Sequence, residues 1–378
     1  MKIAYCTPSL YIPGGVERVL TTKANYLADV AGYDIYIILT DGKGKEPYYE
    51  LSKKIHVINL DINFEELWNK SFLQKIPVYL KKQARYKKLL KKTLYEIKPD
   101  MTVSLLRREI NFITSIHDGS LKIGELHVNR KNYRNFEEND TNFIKKLFSH
   151  LWMNQLVKKL KRLDRFIVLS EEDKKNWHEL HNVTVIPNPI PFNTDRTSDM
   201  STKNIIAVGR FVYQKGFDLL LEAWGKVLTK HTDWHLYIYG KGDKSQYQEY
   251  AQQHRLKNLH LEDAVTNIID KYCDSSIFVL SSRFEGFGLV LAEAMSCGLP
   301  AVSFACPCGP RDIITENIDG LLAEPENTDD LAQKICYLIE NEGKRKEMGL
   351  KARDNMQRFK ENTIMKQWTE LFSKLTSP

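Results

Sequence analysis

The residues of this 378-residue chain that most directly indicate chemistry are two carboxylates eight positions apart, Glu285 and Glu293. Glu285 is followed by Gly286-Phe287-Gly288, and Glu293 lies in the largely apolar segment 289–297. We predict that this segment is a helix and that the glycine-rich turn leaves backbone N–H groups unpaired at its N-terminus. Such a turn binds anions, phosphate above all. The two carboxylates add acceptors for paired hydroxyl groups.

The loop 209–216 supplies two cations, Arg210 and Lys215, between a predicted strand and a predicted helix. A diphosphate needs a bidentate donor and a point charge, which arginine and lysine provide. The simpler interpretation is that both cations are solvated and have no role. The Glu285 turn favours instead a binding site formed by the two loops together. A ligand with both a diphosphate and a polyol is a nucleotide sugar.

Strands alternate with helices in both halves of the chain, which predicts an α/β fold with two parallel sheets. The predicted strands are 2–6, 35–40, 101–106, 121–127, 165–169 and 183–186, then 204–208, 234–239, 277–280 and 301–304. Segment 187–203, rich in Pro, Asn, Asp, Ser and Thr, is the predicted linker. Ligands of such sheets bind beyond the carboxyl ends of the strands. The chemistry is therefore expected in loops at those ends.

The net charge of +7 is unevenly distributed, because residues 1–190 hold 32 Lys and Arg against 22 Asp and Glu. We therefore expect the first half to meet an anionic partner. No run of about 18 uncharged apolar residues predicts a membrane span, and the N-terminus does not resemble a signal peptide. These features favour a cytosolic protein. The pair Cys306 and Cys308 is interpreted as reduced thiols, since no second Cys/His cluster completes a zinc site.

Several of these motifs together resemble glycosyltransferase family 4, a retaining family of the GT-B type. They are the E-x7-E pair Glu285 and Glu293, the loop 209–216, Gly14-Gly15-Val16-Glu17-Arg18 and Ile186-Pro187-Asn188-Pro189. Segment 306–314 is similar to enzymes that build bacterial surface polysaccharides. The resemblance implies two Rossmann-like domains facing across a cleft, with acceptor domain 1–190, donor domain 191–360 and a C-terminal helix, 361–378, that packs back on the first domain.

The resemblance also implies residue roles. Arg210 and Lys215 would neutralise the leaving diphosphate, Glu293 would bind the ribose and Glu285 the transferred sugar. The remaining implied donor-site residues are Gly14, Gly15, His127, Gly209, Gly240, Phe287, Gly288 and Leu289, with the amides of the last two on the distal phosphate and His127 near the sugar.

No Asp-x-Asp motif stands at a predicted strand end, so we expect no metal and no cofactor. The resemblance implies retention by same-face attack, with a short-lived covalent intermediate as the alternative. UDP-linked hexose or N-acetylhexosamine is the favoured donor, again by resemblance. A sugar-nucleotide epimerase of the same fold and a non-catalytic nucleotide-sugar-binding protein remain open. An NAD oxidoreductase is disfavoured, because no G-x-G-x-x-G follows either first strand.

Two basic segments, 70–92 and 143–162, interleave Lys and Arg with apolar residues. Helices of this kind lie on anionic membrane surfaces. They favour a peripheral enzyme on the inner face of the plasma membrane, acting on a glycan or lipid-diphosphate-linked acceptor. A solvated helical face is the alternative. Nucleic-acid binding is disfavoured, because no zinc-finger, RNP-like or helix-turn-helix signature is present.

Overall fold

The computed structural model describes residues 1–67, 71–133 and 143–377, without the side chains of 72–73 and 143–150. Lys70 of the first basic segment, and the side chains of Lys145 and Lys146 in the second, therefore lie outside the described residues. The chain divides into two compact units, Met1–Pro191 with Ile364–Pro378, and Phe192–Thr363.

The first unit contains, within its described residues, a seven-stranded parallel sheet in the order β3-β2-β1-β4-β5-β6-β7. Its strands are β1 (Lys2–Thr7), β2 (Asp34–Leu39), β3 (His56–Asn59), β4 (Met101–Ser104), β5 (Leu121–Glu125), β6 (Arg165–Val168) and β7 (Val183–Val185). Its helices up to the linker are α1 (Gly15–Asp29), α2 (Phe72–Ile97), α3 (Phe143–Leu160) and α4 (Glu171–Asn176). The central strands are buried, as parallel strands covered by helices on both faces must be.

The second unit contains a six-stranded parallel sheet in the order β10-β9-β8-β11-β12-β13. Its strands are β8 (Asn204–Val208), β9 (His235–Gly240), β10 (Leu259–Asp263), β11 (Ile277–Leu280), β12 (Ala301–Phe304) and β13 (Gly320–Ala323). Its helices are α5 (Phe217–Leu228), α6 (Ser245–Gln253), α7 (Ile268–Cys273), α8 (Leu289–Ser296), α9 (Pro310–Ile313), α10 (Thr328–Glu340) and α11 (Glu342–Asn355).

The last helix, α12 (Glu361–Thr376), belongs to the first unit from Ile364 onward. Its apolar side chains recur at helical spacing on one buried face: Ile364, Met365, Trp368 and Phe372. Burial of this stripe, rather than intrinsic helix propensity, is the main force that holds the helix in place.

The predicted α/β class with two parallel sheets is confirmed. Several predicted strands run past the observed ends. The differences are largest at β4, which ends at Ser104 rather than at 106, and at β5, which ends at Glu125, so that His127 lies two residues beyond it. In the described part of the chain, no helix combines the length and apolarity needed to cross a membrane.

Candidate functional site

Strand order in the second unit brings two loops of the predicted donor site together. β8 lies beside β11, and the chain continues from β8 to one side of the sheet and from β11 to the other. A crevice opens at such a switch point, beyond the carboxyl ends of the strands. The loops after these two strands carry Lys215 and Glu285, and Lys215 Nζ lies 2.6 Å from Glu285 Oε1.

The two loops are also joined by hydrogen bonds. Ser281 Oγ donates to the carbonyl oxygen of Lys215 at 2.9 Å, and the amide of Arg283 donates to the carbonyl of Gln214 at 2.9 Å. In return, Gln214 Nε2 donates to the carbonyl of Phe284 at 3.0 Å. The position of Lys215 relative to Glu285 is therefore set by the loops as well as by the ion pair.

The Lys215–Glu285 pair is largely removed from water, with side chains 13% and 8% exposed. Glu285 also accepts a hydrogen bond from the Ser282 hydroxyl at 2.7 Å. Arg210, by contrast, is exposed, and its guanidinium has no hydrogen-bond or ion-pair partner among the described residues. One cation of the loop is thus held by a carboxylate while the other is available to an anion.

Gly240, the last residue of β9, marks a close backbone approach beside this loop. The amide of Gly209 donates to the carbonyl of Tyr239 at 3.0 Å. A Cβ atom at Gly240 would lie 1.7 Å from the carbonyl oxygen of Gly209. Any side chain at position 240 would therefore push apart the loops that follow β8 and β9.

Gly288 precedes α8 with φ at 90°, a left-handed conformation that favours glycine. Helix α8 then begins at Leu289. The ring of Phe287 is buried and packs edge-on against Phe359, with ring centroids 5.2 Å apart. Phe287 is thus occupied by core packing, so its part in the predicted donor site would come from the backbone.

Glu293 lies on α8 and is 1% exposed. Its Oε2 accepts a hydrogen bond from the Tyr272 hydroxyl at 3.2 Å. The spacing of eight residues from Glu285 therefore places the second carboxylate inside the unit rather than on its surface.

Cys306 and Cys308 are buried in the turn after β12, and neither is part of a disulfide. Burial raises the pKa of the Cys306 thiol, and the neighbouring Glu285 carboxylate raises it further. A thiol with a raised pKa stays protonated and unreactive. The structure therefore agrees with the interpretation as reduced thiols.

In the first unit, His127 lies beside a buried ion pair. Its Nε2 is 3.3 Å from Glu125 Oε1, and the same oxygen is 2.5 Å from Lys23 Nζ. The Lys23 ammonium also lies 3.6 Å from the centroid of the Trp368 ring. The other carboxylate oxygen, Glu125 Oε2, and both ring nitrogens of His127 are buried without a hydrogen bond to any described residue.

Gly14 and Gly15 lie at the start of α1, where Gly14 is the N-cap residue. The carboxylate of Glu17 folds back over Gly14, so that a Cβ there would lie 2.1 Å from Glu17 Oε2. A cavity of about 380 Å³ opens nearby, at the carboxyl ends of β1, β2 and β4. Its charged lining residues are Glu17, Asp41, Glu65, Arg107 and Arg108.

These cavity residues had no assigned role in the sequence. The available signal was their position, since Asp41 and Arg107 follow the strands β2 and β4 within three residues. Among the predicted site residues, Gly14, Gly15 and His127 belong to the first unit and the others to the second. In the described chain, no group of three or more His, Cys, Asp or Glu residues could hold a metal ion.

Comparison with known families assigns both halves of the chain. Residues 193–355 match the model of glycosyl transferases group 1, and residues 13–193 match that of glycosyltransferase family 4. With the two parallel sheets, these matches define the class as GT-B glycosyltransferases. The chain is a glycosyltransferase with a family 4 domain over residues 13–193 and a group 1 domain over residues 193–355.

Two relatives align along the whole chain. An uncharacterized glycosyltransferase of Haemophilus influenzae is 28% identical over 380 residues, covering 97% of this chain and 98% of the relative. The second, from Campylobacter jejuni, is a GalNAc-alpha-(1->4)-GalNAc-alpha-(1->3)-diNAcBac-PP-undecaprenol alpha-1,4-N-acetyl-D-galactosaminyltransferase. It is 25% identical over 386 residues and 99% of each chain is covered.

Among solved structures, a mutant of Staphylococcus aureus TarM in complex with fondaparinux, alpha-GlcNAc-glycerol and UDP superimposes with a TM-score of 0.76. The alignment covers 98% of this chain and 99% of the other, at 18% identity. At that identity the likeness supports the fold, and the ligands are those of TarM.

Proposed function

We propose that this glycosyltransferase moves a hexose or N-acetylhexosamine from a UDP-sugar to a hydroxyl group of a glycan or lipid-linked oligosaccharide, with retention of anomeric configuration. The observation that carries the proposal is the Lys215–Glu285 pair at the switch point of the second sheet. It combines a cation for a diphosphate with a carboxylate for sugar hydroxyls. Both lie where ligands of such sheets bind.

Each predicted residue has a part in the proposed reaction. The exposed Arg210 meets the diphosphate first, and Lys215 exchanges Glu285 for a phosphate oxygen. Glu285, released from Lys215, then accepts hydrogen bonds from the sugar. The amides of Gly288 and Leu289 bind the distal phosphate at the start of α8. Glu293 binds the ribose once its hydrogen bond with Tyr272 opens, because its carboxylate is otherwise buried.

The reaction needs no metal in this proposal, because Arg210, Lys215 and the start of α8 stabilise the charge that develops on the leaving diphosphate. The acceptor hydroxyl attacks from the same face, and the departing phosphate takes its proton. His127 contributes near the sugar. Chelation by EDTA is expected to leave turnover unchanged.

The comparisons support the choice of donor and acceptor classes. The structural neighbour TarM holds UDP, and the Campylobacter relative is named for transfer to an undecaprenyl-diphosphate-linked glycan. The cavity at the first sheet is within the size range of small-molecule sites and is polar enough for a sugar. We assign it to the acceptor, in assembly of a bacterial surface glycan.

The surface of α2 supports a position on a membrane. Its exposed cations are Lys81, Arg85, Lys87, Lys88, Lys91 and Lys92, and its exposed apolar side chains include Ile76 and Leu80. Cations with neighbouring apolar side chains bind anionic lipid surfaces. We therefore place the enzyme on the cytoplasmic face of the plasma membrane, where a lipid-linked acceptor is accessible.

A panel of UDP-sugars with a lipid-linked acceptor tests the function. We expect UDP release that depends on the acceptor, and an α-linked product by NMR from an α-linked donor. A β-linked product contradicts retention. UDP release without acceptor, accompanied by an altered free sugar, indicates an epimerase, and tight donor binding without transfer indicates a binding protein.

A further inference from the structure

Arg283 stands between the two loops of the donor site, two residues before Glu285. Its side chain is 9% exposed. All three nitrogens of its guanidinium donate hydrogen bonds, and one face of the group lies on an aromatic ring. No role was assigned to it from the sequence. Its contacts nevertheless concern the loop that carries Lys215.

The guanidinium joins three segments of the second unit. It forms a bidentate pair with Asp218 on α5, with Nη1–Oδ1 at 2.9 Å and Nη2–Oδ2 at 2.5 Å. Nη1 also donates to the carbonyl of Tyr213 at 2.8 Å, and Nε donates to Glu326 Oε2 at 3.1 Å. The ring of Tyr213 stacks on the guanidinium with 4.0 Å between ring centroid and Cζ.

This arrangement spans the residue that the site depends on. Tyr213 and Lys215 are the ends of a one-turn 3₁₀ helix, and Asp218 lies in the first turn of α5 just after it. Arg283 therefore grips the chain on both sides of Lys215, while its own backbone leads to Glu285. A planar fork is required for this grip, and a lysine ammonium does not supply one.

We propose that Arg283 is a positioning residue, which holds the turn 213–215 against the loop of Glu285 so that Lys215 alternates between Glu285 and the donor diphosphate without the loop moving. The inference rests on the proposed function for the diphosphate. The grip itself concerns the protein alone and is testable without a sugar.

Amide hydrogen exchange measures the grip directly. The amides of Lys215 and Gly216 donate to Val212 and Tyr213 within the turn, so their exchange rates report its opening. We expect Arg283→Gln to raise these rates at least about tenfold, and Arg283→Lys to resemble Arg283→Gln because it keeps the charge without the fork. Arg255→Gln, an exposed arginine of the same unit, is the control and should leave them unchanged. Unchanged rates in Arg283→Gln overturn the proposal.

A double-mutant cycle separates positioning from general destabilisation. We expect Arg283→Gln to lower kcat at least about tenfold in the wild-type background and to add little once Lys215 is Ala, because a displaced loop matters only while Lys215 is on it. A full additional loss in the Lys215→Ala background overturns the proposal. UDP binding by calorimetry repeats the cycle without an acceptor. If the wild type transfers no sugar, the proposed function is refuted. Arg283 is then still a positioning residue if Arg283→Gln shows faster amide exchange and weaker UDP binding.

Discussion

Lys23 and Glu125 form an ion pair that is sealed inside the first unit, with Nζ 2.5 Å from Oε1 and both side chains 1% exposed. Lys23 lies on α1, which begins at the Gly14-Gly15 loop, and Glu125 ends the strand that leads to His127. Trp368 of α12 covers the ammonium. The pair thus links the last helix of the chain to two predicted site segments.

Removing one partner of this pair should be severely destabilising. Glu125→Gln leaves the Lys23 ammonium buried without a counter-charge, and we expect it to lower the free energy of unfolding by about 3–5 kcal/mol. Urea denaturation followed by tryptophan fluorescence measures this. The exposed pair Lys203–Asp233 provides the control, since Asp233→Asn should leave the midpoint unchanged. The double variant Lys23→Met/Glu125→Leu should recover much of the lost unfolding free energy. If it is as unstable as Glu125→Gln, the ion-pair explanation is contradicted.

The stabilisation that Glu125 gives the wild type should be lost in acid. Burial alone would raise the pKa of Glu125, but the Lys23 ammonium and the His127 ring outweigh it and lower the pKa from 4.5 to about 2. A folded-state pKa below the ordinary value means that the stabilisation is complete above about pH 4.5 and is lost as pH falls toward 2. The difference in unfolding free energy between wild type and Glu125→Gln should therefore narrow across this range. A constant difference would show that Glu125 does not titrate this way.

Turnover should depend on Lys215. Lys215→Ala removes the cation proposed for the leaving diphosphate, and we expect kcat to fall about 100-fold, or about 3 kcal/mol in transition-state stabilisation. Steady-state kinetics with the preferred UDP-sugar measures the loss. Lys351→Ala changes an exposed lysine on α11 of the same unit and should behave as wild type. Unchanged turnover in Lys215→Ala would remove Lys215 from the site.

Gly240 tests whether the loops need their close approach. In Gly240→Ala the new methyl group would overlap the carbonyl oxygen of Gly209, so we expect weaker UDP binding by calorimetry and a lower unfolding midpoint. Gly343→Ala is the matched control, because a Cβ there meets no atom within 4 Å. Since alanine favours a helix over glycine by up to about 1 kcal/mol, that variant should be neutral or more stable. Equal behaviour of the two variants would show that the approach is dispensable.

Membrane binding should depend on α2. Lys87, Lys88 and Lys91 are exposed on this helix, and each cation near an anionic surface contributes about 1 kcal/mol. Replacing all three with Gln should therefore reduce binding to anionic liposomes about 100-fold at low salt, in a sedimentation assay. The triple control Lys230, Lys257 and Lys351→Gln removes the same charge from exposed positions of the second unit. If both triple variants lose binding equally, net charge rather than α2 is responsible.

The sequence identified elements whose hydrophobic pattern is continuous. The predicted strands 204–208, 277–280 and 301–304 have the observed bounds, since buried strands carry a strong apolar signal. Three edge strands were missed, β3, β10 and β13. Polar residues interrupt the pattern of β3 and β10, and β13 is only four residues long. Helix α11 was missed because it is largely polar, with few buried side chains.

The same contrast holds for the site. Loop chemistry predicted Lys215 and Glu285 as candidates, because glycine, lysine and glutamate after a strand can be recognised in the sequence. Their direct contact depends on strand order, which places β8 beside β11 and which spacing does not encode. The partnership of Lys23 with Glu125 joins residues 102 positions apart and was likewise invisible.

The distribution of cysteine thiols makes local opening of this protein observable. Five of the six thiols are buried, and only Cys273 is partly exposed. Cys6 lies in β1 of the first unit, whereas Cys306 lies beside Glu285 in the second. A thiol reagent reacts with a buried cysteine only when the surrounding structure opens. The order in which these cysteines are alkylated therefore shows which unit opens first. A ligand that stabilises the Glu285 loop would slow the alkylation of Cys306 and leave the alkylation rate of Cys6 unchanged.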